Sequence, residues 1–550
     1  MPIDTATKRY SMINFGTPWL VPLPVPSGSF DAGDRAHFLS LYSGSLAILD
    51  RYWVGVTATS TDWEVATNWN DADGGSLPGN AAVPTAANPV YFNASGTGNC
   101  ALTANAAAAS FTIADGYTGN FDADTFNMAV GDFSGTKSTG SWDMGSGTWT
   151  CSGSWNHSGI TSFVRGTAAL NMTGTSKTLT WGDDLAALTI AAGATVTAAG
   201  SLSTYDVQSN ITINGSLSIP TGKTLRQVFS GTLTIGAAGV LTGAGAFLSV
   251  GPVPNVDNSA GGTVDIASFT SGVVSSGNRT ATFVGNVDSA TVVITSSAAI
   301  GVTHTRQMGD AAFSGNVTFS ATGNGTLLID NATNDPDLVF QGDVVRTPGT
   351  GAITWTKGDG TITLSGGGAQ SVDFGFGQTI EDLIIDSAGG TVTLAGDIDA
   401  DSFTGTAGTL DPAGYTVTTT GNCTWSNGFD FVADADAMDG CTWIVGGNFA
   451  ADGQTLNATS TWTLTVTGTA TATGVTVAYS DASGGTEIDA SDGTCTEDPE
   501  GSCTNWLFVT AATAGPDYTF PNDRIHYTFP PDRRHYTLPA DRKHHVFGKE

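Results

Sequence analysis

Basic residues are scarce in this 550-residue chain: 19 Lys and Arg stand against 50 Asp and Glu, a formal net charge of −31. None lies between Lys357 and Arg524. Phosphate binding needs clustered cations, so this body excludes nucleic acid as a partner. Cysteine is sparse too. Cys100, Cys151, Cys423, Cys441, Cys495 and Cys503 are spread too widely for a zinc motif and too thinly for a disulfide scaffold, and only Cys495 and Cys503 are near enough for a local bridge. No apolar run approaches membrane-spanning length, and Met1-Pro-Ile-Asp-Thr-Ala-Thr-Lys8 lacks a signal peptide's apolar core. The expectation is a product assembled in the cytoplasm, with no membrane insertion. Catalytic signatures are missing as well: no Gly-x-Ser-x-Gly elbow in a strand-turn-helix context, no His-Glu-x-x-His, and no phosphate loop ending in Gly-Lys-Ser/Thr. No cofactor is expected.

What is abundant is glycine, at 72 residues, with Thr, Ser, Ala and Asn. Such residues suit short strands joined by tight turns. Across 101–508 short alternating segments recur, among them Leu188-Thr-Ile190, Asn210-Ile-Thr-Ile213, Thr232-Leu-Thr-Ile235 and Thr361-Ile-Thr-Leu364, each closed by Gly, Asn or Asp. Helical periodicity is absent there. The stretch from Ser176 to Gly200 aligns with that from Gln370 to Gly396, which predicts diverged copies of one coil. The fold class is therefore all-β, an elongated parallel β-helix or solenoid. Coils of roughly 20 to 25 residues at a rung spacing near 4.8 Å give a rod on the order of 80 to 100 Å. Serial sandwiches are the alternative.

Three other regions flank this body. Residues 1–50 form a Pro-rich arm followed by one short helix, capped by Ser29 or Asp31, with Phe38, Leu39, Tyr42 and Leu46 on one face. Residues 51–100 are rich in aromatics, Tyr52, Trp53, Trp63, Trp69, Tyr91 and Phe92, as a plug for the solenoid's open end or a sugar-stacking platform. Asp71-x-Asp73-Gly there is a poor calcium loop, lacking the distal Glu. Residues 509–550 hold a three-fold repeat, Tyr-Thr-(Phe/Leu)-Pro-x-Asp-Arg-x-His, beginning at Tyr518, Tyr527 and Tyr536. Each copy reads as one strand and one turn, and the last 27 residues carry six of the basic residues and four of the seven histidines. The recurring His526, His535 and His544 follow from the repeat as well as from any metal site. A basic, aromatic tail on an acidic body reads as an attachment segment. The candidate attachment residues are Trp19, Phe38 and Tyr42 in the arm, and Tyr518, Phe520, Arg524, Tyr527, Phe529, Arg533, Tyr536 and Arg542 in the tail.

The stretch Thr5-Ala-Thr-Lys-Arg-Tyr-Ser-Met12, with Pro18-Trp19 and Leu23-Pro-Val-Pro-Ser-Gly-Ser-Phe30, resembles the short leader of structural proteins from tailed bacteriophages. The C-terminal repeats resemble small repeat segments encoded among phage head and tail genes. The Gly-Gly-Thr-Val-Thr-Leu coils, with Asn68-Trp69 and Asn505-Trp506, are similar to β-helical modules of phage fibres and bacterial surface adhesins. This resemblance implies a virion structural protein, fibre-like or decorating, with other head or tail proteins, a host-surface glycan or protein, and further copies of itself as partners. It carries no catalytic residue. A polysaccharide-degrading tailspike and a bacterial adhesin are the alternatives. A hydrolase needs two carboxylates about 5 to 9.5 Å apart. Asp397, Asp399 and Asp401, or Asp434, Asp436 and Asp439, are the clusters that offer them.

Overall fold

The computed structural model describes residues 49–55, 61–75 and 78–509. Contacts divide the chain into the units Met1–Phe508 and Val509–Glu550, and the description below concerns the first. The expected arm with its helix, the repeat tail, and all eleven candidate attachment residues lie outside the described residues.

Alternating sequence sets inside against outside along the strands: Leu188 and Ile190 turn inward and are buried, while Thr189 faces out. After Ala187–Ile190 the chain turns a corner into Thr195–Ala199, turns again into Thr204–Val207, and returns to lay Ile211–Ile213 against its own start. Leu188 pairs with Ile211 and Ile190 with Ile213, in parallel. Three ladders thus run side by side, here called faces one, two and three, and the wound coils make a parallel β-solenoid of about 19 turns. At a rung spacing near 4.8 Å such a stack is about 90 Å tall. The only helical element among the described residues is the single turn Ala66–Asn68.

Coil length varies more than the sequence predicts. Thr393 pairs with Asp411, 18 residues on, whereas Val344 pairs with Val372, 28 residues on. The difference is absorbed in the corners, because the ladders hold each rung in register whatever the loop between them does. Some strands also outgrow the expected three to five residues. Asp382–Leu394 runs through a corner and serves two faces, pairing with Thr361–Leu364 by one half and with Ala369–Val372 by the other. The predicted repeat runs one face out of phase here. Thr195–Ala199 belongs to face two, but its aligned partner, Thr391 to Leu394, belongs to face three. Both are Thr-Val-Thr strands, and nothing in such a strand says which side of a near-triangular coil it will form.

Aromatic side chains recur along the whole bore among aliphatic ones: Phe247, Phe269, Phe283, Phe313 and Phe340 contact one another in turn through its middle. Phe121 stacks on Trp142 and Phe133 on Trp155, both at 3.9 Å between ring centroids, and Trp425, Trp443 and Phe449 form an edge-to-face cluster further on. At the N-terminal end Arg51–Trp53 pairs in parallel with Pro89–Phe92, while its other edge is covered by Trp69–Asn70, the one antiparallel pairing between strands of the described residues. Gly79 and Ala81 then close over that strand, their N–H groups donating to Thr67 O and Trp69 O. Only glycine fits, since a Cβ on Gly79 would lie 1.9 Å from Trp69 O. Trp53, Trp63 and Trp69 are buried beneath this cover. The last strand, Trp506–Phe508, pairs with Ile488–Ala490 on one side.

Candidate functional site

The acidic residues lie mostly at coil corners, and the geometry gives them a shared task. Asn120 Oδ1 accepts the N–H of Ser141 at 2.8 Å, Asn127 that of Thr148 at 2.7 Å, Asp337 that of Thr361 at 3.0 Å and Asn448 that of Thr469 at 2.9 Å. In each pair the acceptor sits one coil below the donor. Where a corner breaks the main-chain ladder, an Asn or Asp side chain supplies the missing acceptor.

Some members of the carboxylate clusters named as hydrolase candidates are engaged in this way. Asp397 accepts from Thr416 N, and Asp439 accepts from the N–H groups of Thr459 and Ser460. Desolvation alone raises the Asp439 carboxyl, but hydrogen bonds from Thr459 and Ser460 overcome it and bring the group down to about 2. Asp401 is held low mainly by its hydrogen bond from Lys357 at 2.7 Å and then by Thr420. Asp434 and Asp436 are exposed in the turn before Cys441. Asp73, in the poor calcium motif, accepts hydrogen bonds from Ser95 and Asn93, which lower its carboxyl. Among the described residues no three His, Cys, Asp or Glu side chains are grouped to hold a metal ion. All six cysteines are free thiols, Cys495 and Cys503 included.

A groove of about 540 Å³ lies on face one, spanning five consecutive coils and lined by Thr232, Asn255, Asp257, Thr282, Asp310 and Asn334 among others. Its hollow has a local cause. Asn255 Oδ1 takes the N–H of Thr282 at 2.9 Å, so Pro254–Asp257 and Arg279–Val284 pair only at Val256–Phe283 and Asp257–Val284. Amides, hydroxyls and two carboxylates line it, a set suited to neutral polyhydroxylated ligands. Its carboxylates already have partners: Asp257 accepts from Ser259, and Asp310 from Asp337 N.

Inside the bore lie polar groups that the sequence reading missed. Glu381, 1% exposed, accepts from Asn331 Nδ2, Trp355 Nε1 and Gly358 N at 2.8 to 2.9 Å. His157 Nδ1 accepts from Trp155 Nε1 at 3.1 Å, and its Nε2 lies 2.9 Å from Asp183 O. Burial pushes this imidazole down to about 4. The Lys137 ammonium donates to Tyr117 O and Gly119 O above the Tyr117 ring, and burial lowers it to about 8. Gln370 and Gln454 donate to carbonyls one coil away. Strict alternation was the available signal, since Gln227, Arg306 and Gln370 occupy positions that the strand pattern turns inward.

Comparison with protein-family models, with curated proteins and with solved structures finds no match to this chain.

Proposed function

We propose that this chain is a structural component of a tailed-bacteriophage virion, fibre-like or decorating the head or tail, whose solenoid provides reach and whose terminal segments attach it. The observation that carries this reading is the unbroken stack of about 19 turns, in which corner carboxylates hold coil to coil. Residues spent this way make length and stiffness. The phage-like N-terminal stretch and the Tyr-Thr-(Phe/Leu)-Pro-x-Asp-Arg repeats support attachment through the ends, with other virion proteins as partners and the virion as the location. Deleting 516–550 is expected to leave a folded solenoid that no longer enters particles; unchanged copy number per particle would overturn the anchoring role.

A second reading is favoured by the face-one groove, whose hydroxyls, amides and carboxylates suit a host-surface glycan. In it the chain binds, or as a tailspike cleaves, polysaccharide along face one. Incubation with capsular polysaccharides separates the two: release of reducing sugar supports cleavage, and retention without release supports binding. Neither outcome leaves the groove a role in attachment if Asn255→Ala and Asp310→Ala variants behave as the parent chain.

A further inference from the structure

Arg306 is wholly buried, yet it has no acidic partner. The ion pairs among the described residues join Arg165 to Asp184, Arg226 to Asp206, Arg346 to Asp373 and Lys357 to Asp401. Arg306 joins none of them, and its relative exposure is 0%. A buried cation without a counter-charge is costly, and such groups are nearly always paired.

The register shows how the side chain is accommodated. Arg306 pairs with Ala281, and the pairing of Phe283 with Val256 places Ala281 in turn above Pro254, so the three form one inward column on face one. The small Ala281 lets the arginine reach back along the bore. Its Nη1 donates to Pro254 O at 2.8 Å and to Thr282 O at 3.4 Å. These are carbonyls of the two strands that the Asn255 side chain holds apart. One nitrogen therefore repairs the opened ladder. The other two, Nε and Nη2, are buried without a protein partner.

Neighbouring inward positions add donors. Ser271 stands on face three in the coil of Pro254, directly above Ser249 in the ladder, and its hydroxyl is buried and unpartnered. Ser289 stands on face two in the coil of Thr282, with a hydroxyl in the same condition. Ser249 differs, because it donates to Gln227 Oε1 at 2.7 Å. From its own coil Arg306 thus reaches toward two coils that carry two spare hydroxyls, and no carboxylate turns inward among the buried residues of these coils.

We propose that the bore beside Arg306 encloses a small inorganic monoanion of the halide class, gripped by Arg306 Nε and Nη2 and enclosed as the coils from Pro254 to Met308 close. Charge decides in favour of an anion over a neutral guest, since it alone offsets the buried guanidinium while satisfying donors. Charge also decides against phosphate or sulfate dianions, because Arg306 is the one buried Arg or Lys of these coils and offsets a single negative charge.

The test uses the full chain in chloride. Diffraction at a wavelength where chlorine scatters anomalously is expected to show a peak within hydrogen-bond reach of Arg306 Nε and Nη2. Density with no anomalous signal, which is ordered water only, overturns the proposal, as does a featureless bore. A solution measurement runs beside it: urea unfolding at constant ionic strength, with chloride exchanged for gluconate. An anion bound only by the folded chain lowers the unfolding constant about tenfold for each tenfold rise in chloride above its dissociation constant. Arg306→Met is expected to abolish that dependence, and a chloride dependence equal to the parent's overturns the assignment. Should Arg306→Met fail to fold, the anomalous map of the parent chain decides alone.

Discussion

At the scale of single residues the bore is less greasy than its lining implies, and the polar side chains within it are where stability is most exposed to change. Glu381 receives three donors and no cation. Glu381→Gln turns an amide against one of those donors, and hydrogen bonds to a charged acceptor contribute about 1.5 to 3 kcal/mol each. We expect a loss of about 3 kcal/mol in urea unfolding; a change below about 0.5 kcal/mol, the size of a neutral surface substitution, would contradict the geometry. His157 gives a pH signature of definite sign. Its folded value near 4 lies below the ordinary imidazole value of 6.5, so the folded state binds the proton less well than the unfolded one. The stability it contributes is complete above pH 6.5 and is lost as pH falls toward 4, about 3 kcal/mol in all for a shift of this size. Unfolding midpoints across that window should fall in the parent chain and flatten in His157→Gln. Lys137 acts in the opposite range, where raising the pH from about 8 relieves a buried charge.

The element that repeats is a strand followed by a stapled corner. Asn448 shows the device twice over, accepting from Thr469 N and Thr469 Oγ1 while its own N–H donates to Asn422 Oδ1. Asn448→Ala should cost about 1 kcal/mol, the ordinary net value of one such bond. Asn448→Asp keeps both acceptors and is expected to be nearly neutral at pH 7, which thermal melts of the two variants can check. The N-terminal cover is the other element with a definite consequence. Trp69 closes the edge of Arg51–Trp53 and fills the bore behind it. Trp69→Ala should cost about 3 to 5 kcal/mol, and it uncovers a strand edge that can pair with another chain. Light scattering is expected to report association that the parent chain does not show. The strands themselves were legible from alternation, since Leu-Thr-Ile admits no other reading when Gly or Asn closes it. Their faces were not. The two aligned stretches, residues 176–200 and 370–396, can stand one face out of phase because all three sides of a coil make the same demand, an inward apolar residue every second position.

Over the whole solenoid these local effects add in one direction. Asp73, Asp401, Asp439 and Asp481 are all held below the ordinary carboxylate value by hydrogen bonds, and each therefore contributes stability that is present above that value and lost on acidification through the folded one. Together with His157 they predict a melting temperature that falls in two stages, first below pH 6.5 and again below about pH 4. A net charge of −31 sets a second dependence at neutral pH, where self-repulsion is screened by salt, so moderate salt should raise the midpoint before acid effects begin.

By itself the sequence determined the fold class, the parallel solenoid, the approximate coil length and the acidic character of the body, because alternation, glycine-closed turns and composition are local properties that survive any arrangement of the coils. Only the tertiary structure decided which face each strand occupies, which aspartates act as staples between coils, and that Glu381 and His157 lie inside. Those outcomes depend on residues distant in sequence meeting across rungs, as Asn331 meets Glu381 50 positions on and Pro254 meets Arg306 52 positions on. No local pattern carries such meetings, since corner lengths that vary from coil to coil set them, and only closure of the ladders fixes what stands above what.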